Sequence, residues 1–413
     1  MKKGAIIGLD KDSKFARVSS TDLYVKPLWE QVLKEHSISL VDSPQNVPSG
    51  TKLVEIGEYD DLDVERLMSD SNYFACTYIY RKALIRKHYL GYTIERYISK
   101  NPTSALAKAF PTTYNIEVDY AEFLDDALDE TYGLREELEE GRKTWILKPS
   151  MSDRGQGIRI FKTVDELQQI FEEFEEENES DIEDEEPSLE EEGGSGSHGI
   201  ITSQLRHFVV QEYISRPLLL PAHGNRKFHI RTYVLCVGAI KVYVYKDMLA
   251  LFSHVSYQQP EAEEDGGILS LVGQLTNTCL QGSVRYPGTV HRFWNLEYDE
   301  DKKQKIFDDI CEITGELFKA ATSVDRINFQ PLPNAYEIYG LDFLVNGDDN
   351  SVSILEVNAY PDFKQTGDDL NNVILNLFRS TYNLAIKGFY GDDNLDDDDR
   401  SRLVLEQDLS GGW

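Results

Sequence analysis

Two acidic residues in the C-terminal half lie inside apolar runs, where carboxylates are uncommon. Asp342 lies in YGLDFLV, and Glu356 lies in SILEVNAYPDF with Asn358 two positions later. Residues two apart on a strand share a face, so Glu356 and Asn358 can both reach one hard cation, with Asp342 arriving from the neighbouring strand. A metal ion would explain these acids. The alternative is a buried ion pair with a lysine or arginine.

Three cationic or titratable residues recur with strand periodicity in RKFHIRTYVL. Alternation places Lys227, His229 and Arg231 on one face and Phe228 and Ile230 on the other. Such a face could line a site for a triphosphate and a ribose. The same pattern is also typical of a solvated outer surface of a sheet.

A lysine precedes a turn of small residues in WILKPSMSDRGQGIRIF. The first strand delivers Lys148, a turn rich in serine and glycine follows, and a second strand leaves. Glycine allows backbone amides to approach an anion, and the lysine adds a positive charge, so the hairpin could cover phosphates. The alternative is an exposed hairpin with a surface lysine.

The segment VVQEYISRPLL is a strand that runs into an irregular stretch before a proline. Its side chains Gln211, Tyr213 and Ile214 could frame a purine ring. An ordinary buried strand has the same pattern, so only its position between the other motifs gives it weight.

The elements that must position these residues can be outlined from the periodicity. Short apolar runs separated by polar turns predict a small α/β lobe that ends near Asn72. Strands dominate from Lys143 onward, with helices predicted at Val164 to about Glu176 and at about Lys302 to Ala321. The strands that carry Asp342 and Glu356 are expected to close the folded part.

The net charge of −31 over 413 residues is concentrated in two segments. Residues 172–192 hold 14 acids and no lysine or arginine, and the segment from Asp392 onward has a net charge of −6, which leaves −11 elsewhere. A mobile acidic insert is expected at about 172–198, and its removal should spare the fold. Nucleic-acid binding is not expected, because it depends on clustered basic residues.

From the rest of the composition we expect a soluble protein. The four cysteines are widely separated and form no CxxC pair, which favours free thiols in a reducing compartment. No window approaches eighteen apolar residues, so neither secretion nor membrane insertion is expected.

Taken in order, the segments KPS…RGQGI, QEYI, KFHIR, LTN, GLDFLV and LEVNAYP resemble the tubulin–tyrosine ligase-like family of ATP-grasp proteins. The match runs from about Phe74 to Asn383. The resemblance implies an α+β fold of the ATP-grasp kind. It also implies a small N-terminal α/β lobe at 1–73, a central lobe at 74–215, a C-terminal antiparallel-sheet lobe at 216–388 and an acidic tail at 389–413.

The resemblance also implies a role for each candidate residue, with ATP and Mg²⁺ as cofactors. The residues expected to contact ATP are Lys148, Gln211, Tyr213, Ile214, Lys227, His229, Arg231, Asn277 and Lys82. Of these, Lys148, Lys227 and Arg231 would stabilise the transferred phosphoryl group. Asp342, Glu356 and Asn358 would hold magnesium.

Two positions depart from the family pattern. His229 stands where the family usually has an acid that binds the ribose, and Leu251 in YKDMLAL stands where YREGVLR has an arginine for the acceptor carboxylate. A leucine cannot pair with a carboxylate, so tubulin tyrosination is not expected. An ATP-dependent acid–amino acid ligase with another acceptor remains, for example a polyglutamylase.

The main alternative is a nucleotide-binding interaction module that has lost its acceptor site. The chain most resembles fungal family members associated with the mRNA-decapping machinery. This resemblance implies a cytoplasmic protein found in P-bodies, with protein partners there and an unidentified acceptor protein or peptide. Neither a nucleic acid nor a membrane is expected as a partner.

Overall fold

The N-terminal segment folds as a parallel sheet. A computed structural model describes residues 14–48, 50–152, 155–183, 206–260, 269–276, 288–366, 370–392 and 398–409. The first strands are β1 (Phe15–Val18), β2 (Ser39–Leu40), β3 (Leu53–Ile56) and β4 (Tyr73–Ala75), with helices α1 (Val25–Glu35) and α2 (Val64–Ser69). The strand order β2-β1-β3-β4 is entirely parallel. An α/β lobe was predicted here, and its last strand begins one residue beyond Asn72.

A helical connection leads to a second, antiparallel sheet. The connecting helices are α3 (Lys82–Ile85), α4 (Lys87–Lys100) and α5 (Leu106–Ala109). The sheet has the order β5-β8-β6-β7. Its elements are β5 (Thr113–Glu117), α6 (Leu124–Glu130), α7 (Tyr132–Glu140), β6 (Trp145–Pro149), β7 (Arg159–Phe161), α8 (Val164–Glu183) and β8 (His207–Glu212). Its apolar core lies on the face covered by the helices.

The largest sheet is built around one long strand. Its elements are β9 (Arg226–Val237), β10 (Lys241–Tyr245), β11 (Leu249–Ser256), β12 (Val290–Arg292), α9 (Glu300–Val324), β13 (Tyr336–Val345), β14 (Val352–Ala359), α10 (Asn371–Thr381), α11 (Lys387–Phe389) and β15 (Ser401–Glu406). One edge of β9 pairs with β11 and then β10, and the other edge pairs with β13, which also pairs with β14. Both faces of this sheet are covered, one by α9 and the other by α10 with the N-terminal sheet.

The acidic run begins inside a helix, which corrects the expected insert at 172–198. Helix α8 continues to Glu183, past the predicted end at Glu176. Phe174 is buried and packs on Phe171 and Phe208, with ring centroids 6.1 and 6.2 Å away. The apolar residues that alternate with the first acids therefore hold this part of the run on the core. Residues 184–205 lie outside the described residues.

The segment expected to be an acidic tail contributes a strand, so the folded part does not close at β14. β15 pairs antiparallel with β10 and forms an edge of the large sheet. A side chain at Gly315 in α9 would come within 2.9 Å of the Val404 carbonyl oxygen, so glycine allows the strand to approach the helix. Arg402 also pairs with Asp308 of α9 at 2.5 Å. Among the helices of the described ranges, none is long and apolar enough to cross a membrane.

Deleting 172–198 should destabilise the protein much more than deleting 184–198. The longer deletion removes Phe174, and loss of a buried phenylalanine costs about 3–5 kcal/mol of unfolding free energy. The shorter deletion leaves every described contact of α8 intact, and loop shortening itself should change stability by less than about 1 kcal/mol. Urea denaturation of both variants measures this, and equal losses would contradict the role of α8.

Candidate functional site

The strands of the central and large sheets meet at a cleft that contains most of the predicted residues. We call it the lysine cleft. It is lined by Ile146, Lys148, Ile158, Gln211, Glu212, Tyr213, Ile214, Lys227, His229, Gln274, Leu275, Thr276, Asp342, Leu344, Leu355 and Glu356. Ten of these side chains come from β6 and β8 on one side and from β9, β13 and β14 on the other, and the rest come from the adjoining segments, including Gln274 to Thr276. Pairing of distant segments therefore creates the site.

Two lysines in this cleft are buried beside neutral partners. Lys148 is 8% exposed and donates to Gln211 Oε1 at 2.8 Å. Lys227 is 7% exposed and donates to the Tyr213 hydroxyl at 2.8 Å, with its ammonium 4.3 Å from the Tyr213 ring centroid. Within the described residues, neither lysine lies within ion-pair distance of a carboxylate. The predicted strand face of Lys227 is thus inside the protein, and the alternative of a solvated surface is wrong.

Burial changes the acidity of both ammonium groups. Burial and, to a smaller extent, the nearby charge of Lys148 together lower the pKa of Lys227 to about 7. Burial lowers the pKa of Lys148 to about 8, an effect that Glu356 opposes and Lys87 reinforces. An anion placed between these lysines would favour their charged forms and reverse this shift.

Arg231 and Asp342 form a bidentate ion pair across neighbouring strands. The two residues are directly opposed in the β9–β13 register. Arg231 donates from Nε to Asp342 Oδ1 at 2.5 Å and from its terminal nitrogen to Oδ2 at 2.9 Å. Burial opposes the charged form of Arg231, but the Asp342 carboxylate outweighs it and raises the pKa of the guanidinium. The ion-pair alternative for this acid is therefore present in the structure.

Glu356 and Asn358 lie beside this pair on β14. The Asn358 amide donates to Asp342 Oδ2 and to Glu356 Oε1, both at 3.3 Å. Burial alone would raise the pKa of Glu356, but Lys87, Lys148 and Arg231 lower it to about 2. Lys87 Nζ lies 3.8 Å from Glu356 Oε2. Glu356 is therefore ionised throughout the physiological range.

The three oxygen-bearing side chains have the chemistry that a magnesium site needs. The Asn358 side-chain amide bridges the carboxylates of Asp342 and Glu356. Rotation of that amide by half a turn would place its oxygen, instead of its nitrogen, beside both carboxylates. Among the described residues, no group of three or more His, Cys, Asp or Glu side chains is arranged to hold a metal. The residues fit the ion if Arg231 releases Asp342, with the amide as the third ligand.

His229 supplies an unpaired nitrogen to the same cleft. Its Nδ1 shares a hydrogen bond of 2.6 Å with the Thr276 hydroxyl, and its buried Nε2 has no hydrogen-bond partner within the described residues. Asp342 Oδ1 is 3.6 Å away, and burial lowers the pKa of the imidazole. The ring is therefore neutral at pH 7, with one nitrogen available to a ligand.

Arg231 and Asn358 adjoin the lining through Asp342, whereas Lys82 does not lie in the cleft. Lys82 is exposed and is the first residue of the short helix α3. The chain turns at Arg86, and α4 begins at the next residue. Lys87, the first residue of α4, points to the site instead and donates to the Ser152 carbonyl at 3.0 Å. Asn277 lies outside the described residues.

Sequence reasoning missed Lys87 and the segment 274–276. Lys87 belongs to the same cationic run as Lys82. Helical periodicity could have shown which of the two lysines faces the site only if the break between α3 and α4 at Arg86 had been known. Gln274 accepts a hydrogen bond from the Tyr213 hydroxyl, and Thr276 bonds to His229. Gln274 directly precedes the LTN motif (residues 275–277) and Thr276 is its second residue, so this motif was the available signal.

Leu251 lies next to the site, as its alignment with an acceptor arginine requires. It is directly opposed to His229 in the β11–β9 register, and opposed residues of an antiparallel pair share a face. Its side chain is buried among apolar neighbours. Leu251 therefore lies on the same sheet face as His229, and its side chain is apolar.

Comparisons with known proteins identify the family of this chain. Residues 65–393 match the model of the tubulin-tyrosine ligase family. The chain is 46% identical over 378 residues to the probable tubulin–tyrosine ligase PBY1 of Saccharomyces cerevisiae, a match that covers 88% of this chain and 50% of that protein. This chain thus spans about half of the length of that relative. A probable tubulin–tyrosine ligase of Schizosaccharomyces pombe is also 46% identical, over 344 residues that cover 81% of this chain and 82% of that protein.

A solved structure is also similar over nearly the whole chain. The crystal structure of the C-terminal domain of K. lactis Pby1 is described as that of an ATP-grasp enzyme interacting with the mRNA decapping enzyme Dcp2. It superposes with a TM-score of 0.73 at 40% sequence identity and covers 96% of this chain and 99% of that chain. The chain therefore belongs to the tubulin–tyrosine ligase family and has the ATP-grasp fold.

Proposed function

We propose that the lysine cleft binds Mg–ATP. The observation that carries this proposal is the pair of buried lysines, Lys148 and Lys227, whose partners are a neutral amide and a neutral hydroxyl. Burial of an ammonium group without a counter-charge is costly, and such groups are retained where a ligand supplies the charge. A triphosphate has the required charge and length.

The other side chains of the cleft suit the remaining parts of a nucleotide. Tyr213 and Ile214 offer an aromatic and an apolar surface to a purine. His229 Nε2 can bond to a ribose hydroxyl. Arg231 can exchange its bidentate bonds to Asp342 for bonds to a phosphate, since both acceptors suit the planar guanidinium.

Binding requires the cleft to open. The cavity encloses about 90 Å³, whereas ligand pockets commonly have about 300–1,000 Å³. A chain of hydrogen bonds from Lys227 to the Tyr213 hydroxyl and on to Gln274 crosses it. A nucleotide would replace the Tyr213 hydroxyl as the hydrogen-bond acceptor for Lys227. The hydrogen bond that crosses the closed cleft would therefore be exchanged for one to the ligand.

Asp342, Glu356 and Asn358 would hold magnesium. The ion would neutralise phosphate charge and favour phosphoryl transfer. Their own contribution is to fix two carboxylates close together on paired strands. Release of Arg231 toward the phosphates would free both Asp342 oxygens for the ion.

The reaction that this site supports is ATP-dependent ligation of a carboxylate to an amine. A substrate carboxylate oxygen forms a bond to the γ-phosphorus of ATP while the bond to the β,γ-bridging oxygen breaks, which yields ADP and an acyl phosphate. An amine nitrogen then attacks the acyl carbon and loses a proton as phosphate leaves. Lys148, Lys227 and Arg231 would stabilise the charge on the transferred group. The family relationship supports this reaction class.

Leu251 favours a second candidate, a nucleotide-binding module without ligase activity. The leucine fills the position of the acceptor arginine with a buried apolar side chain. The similar K. lactis protein interacts with a decapping enzyme, so a cytoplasmic decapping assembly, as in P-bodies, is the corresponding setting for this chain.

One experiment separates the two candidates. The purified protein is incubated with Mg–ATP, each amino acid in turn and a cytosolic extract, and proteins are analysed by mass spectrometry for added residues. A ligase gives a mass increase that requires both ATP and one amino acid. A binding module gives none, although calorimetry still detects Mg–ATP.

Glu356→Gln should weaken binding of Mg–ATP without affecting the fold. The substitution is nearly isosteric and removes only the charge that attracts the cation, so the gain in affinity that Mg²⁺ gives the wild type should fall by about tenfold or more. Titration calorimetry with and without Mg²⁺ measures it, and Glu297→Gln on the surface serves as the control. An unfolded variant would indicate a structural ion pair with Lys87 instead.

Mg–ATP should bind more weakly as the pH rises from 7 to 9. Lys227 has a pKa of about 7 in the free protein and loses its charge through this range, whereas bound phosphates would restore it. Lys148, with a pKa of about 8, also loses part of its charge in this range. Binding at pH 8 should therefore take up about 1.4 protons, roughly 0.9 at Lys227 and 0.5 at Lys148, and affinity should fall by about tenfold or more per pH unit. Calorimetry in buffers of different ionisation enthalpy measures the proton. Lys227→Met should remove most of the uptake and leave only the part due to Lys148, whereas surface Lys302→Met should leave the uptake unchanged.

The protein should not tyrosinate tubulin. Leu251 provides no donor for the acceptor carboxylate, and Arg231 is already held by Asp342. Radiolabelled tyrosine, detyrosinated tubulin and Mg–ATP should give no more labelling with the protein than without it. Strong labelling would show that another arginine reaches the acceptor. Leu251→Arg is the gain-of-function test, although its recovery depends on neighbouring side chains that position the new guanidinium.

A further inference from the structure

A second, larger cleft opens where the N-terminal parallel sheet meets the large sheet. We call it the N-lobe cleft. It has a volume of about 710 Å³ and is bounded by the residues that follow β1, β3 and β4 and by Tyr336 to Ile338 of β13. The chain leaves β1 toward β2 on one side and returns to β3 on the other. Crevices at the carboxyl ends of parallel strands form at such a switch point and commonly bind ligands.

The mouth of this cleft carries unusually exposed apolar side chains. Leu23 is 87% exposed, Tyr360 45% and Tyr59 41%. Tyr360 also has a φ of +53°, a backbone conformation that residues other than glycine rarely adopt, and its hydroxyl lies 3.2 Å from Ser20 Oγ. Behind them, Trp29 and other buried apolar residues form the floor. An apolar patch of this kind marks a binding surface.

The charged groups of the cleft leave a negative balance. Its two cations are already paired, Arg81 with Glu337 and Lys364 with Asp22 at 3.6 Å. Glu58 accepts a hydrogen bond from the Thr21 hydroxyl at 2.6 Å, and neither Glu58 nor the exposed Asp60 makes an ion pair among the described residues. A positively charged group is the complement of such a mouth.

A buried hydroxyl in the wall also lacks a partner. Tyr336 lines the cleft, is 1% exposed, and its hydroxyl makes no hydrogen bond within the described part of the chain. Buried polar groups of this kind are nearly always paired in native proteins.

We propose that the N-lobe cleft binds an extended peptide segment of another protein that carries lysine or arginine next to large apolar residues. The basic side chains would contact Glu58 and Asp60, and the apolar side chains would lie between Leu23 and the two tyrosines. Phosphate-rich partners and acidic segments are disfavoured by the same carboxylates.

The position of the cleft connects it to the proposed ligase site. Ile338 of the N-lobe cleft and Asp342 of the lysine cleft lie on the same face of β13, four residues or about 13 Å apart. Gly340 lies between them, where a side chain would meet Pro361 and Arg231. Insofar as the proposed ligation holds, a segment bound in the N-lobe cleft is placed to present its own acceptor group to the nucleotide.

Fluorescence anisotropy with labelled, end-capped octapeptides tests the binding. The probes alternate leucine with lysine, glutamine or glutamate, and no nucleotide is added. The lysine peptide should bind at least about tenfold more tightly than the glutamine peptide and lose affinity with salt, because exposed charges are screened. The glutamate peptide should not bind. Equal binding of the lysine and glutamate peptides would overturn the proposal.

Variants at exposed positions locate the site without disturbing the fold. Asp60→Lys should weaken the lysine peptide about fivefold, and Leu23→Ser should weaken all leucine-containing peptides that bind. Glu122→Lys makes the same charge change on the exposed surface of the central lobe and should have no effect. Unchanged binding by Asp60→Lys would overturn the proposal. If the peptide binds as expected but Mg–ATP does not, the proposed function fails and this inference stands.

Discussion

The ion pair between Arg231 and Asp342 is the interaction on which the lysine cleft depends. It joins opposed residues of β9 and β13 inside the protein, and Asn358 and His229 take their positions around it. Removal of one partner from such a pair leaves a buried charge and typically costs about 3–5 kcal/mol of unfolding free energy. The pair thus keeps the polar side chains of these strands in place while the cleft is closed. Under the proposed function, its separation would supply a cation for phosphates and a carboxylate for magnesium.

The two buried lysines differ from this ion pair because, among the residues that the structure describes, neither donates a hydrogen bond to a charged partner. Lys148 and Lys227 have neutral partners, and burial lowers the pKa of both. The closed cleft therefore tolerates them as partly neutral amines. An arriving triphosphate would make both lysines charged and displace the Tyr213 hydroxyl, so the free energy of ligand binding includes proton uptake and rearrangement of side chains.

Strand β13 connects the two clefts through one sheet face. Tyr336 and Ile338 form part of the N-lobe cleft, and Asp342 belongs to the lysine cleft. A strand paired on both edges is rigid, so the distance between the sites is set by backbone geometry. Leu251 is directly opposed to His229 on β9 and adds an apolar side chain beside the lysine cleft.

The sequence by itself determined the family, the strands that carry Lys148, Lys227, Asp342 and Glu356, and the faces on which their side chains lie. The strands and the faces follow from local rules, since strand periodicity and apolar flanks are set by adjacent residues. The family, the fold class and the roles expected of the candidate site residues came instead from the resemblance of the ordered motifs. Whether a strand face is solvated or buried could not be predicted from periodicity, because period two is the same in both cases.

Tertiary structure alone decided the remaining features, which depend on contacts between distant segments. Helix phase after the break at Arg86 brings Lys87 to the site in place of Lys82. Phe174 holds an acidic helix on the core, and Gly315 lets β15 dock on α9. The pairing of Arg231 with Asp342 depends on strand register, which no short stretch of sequence specifies.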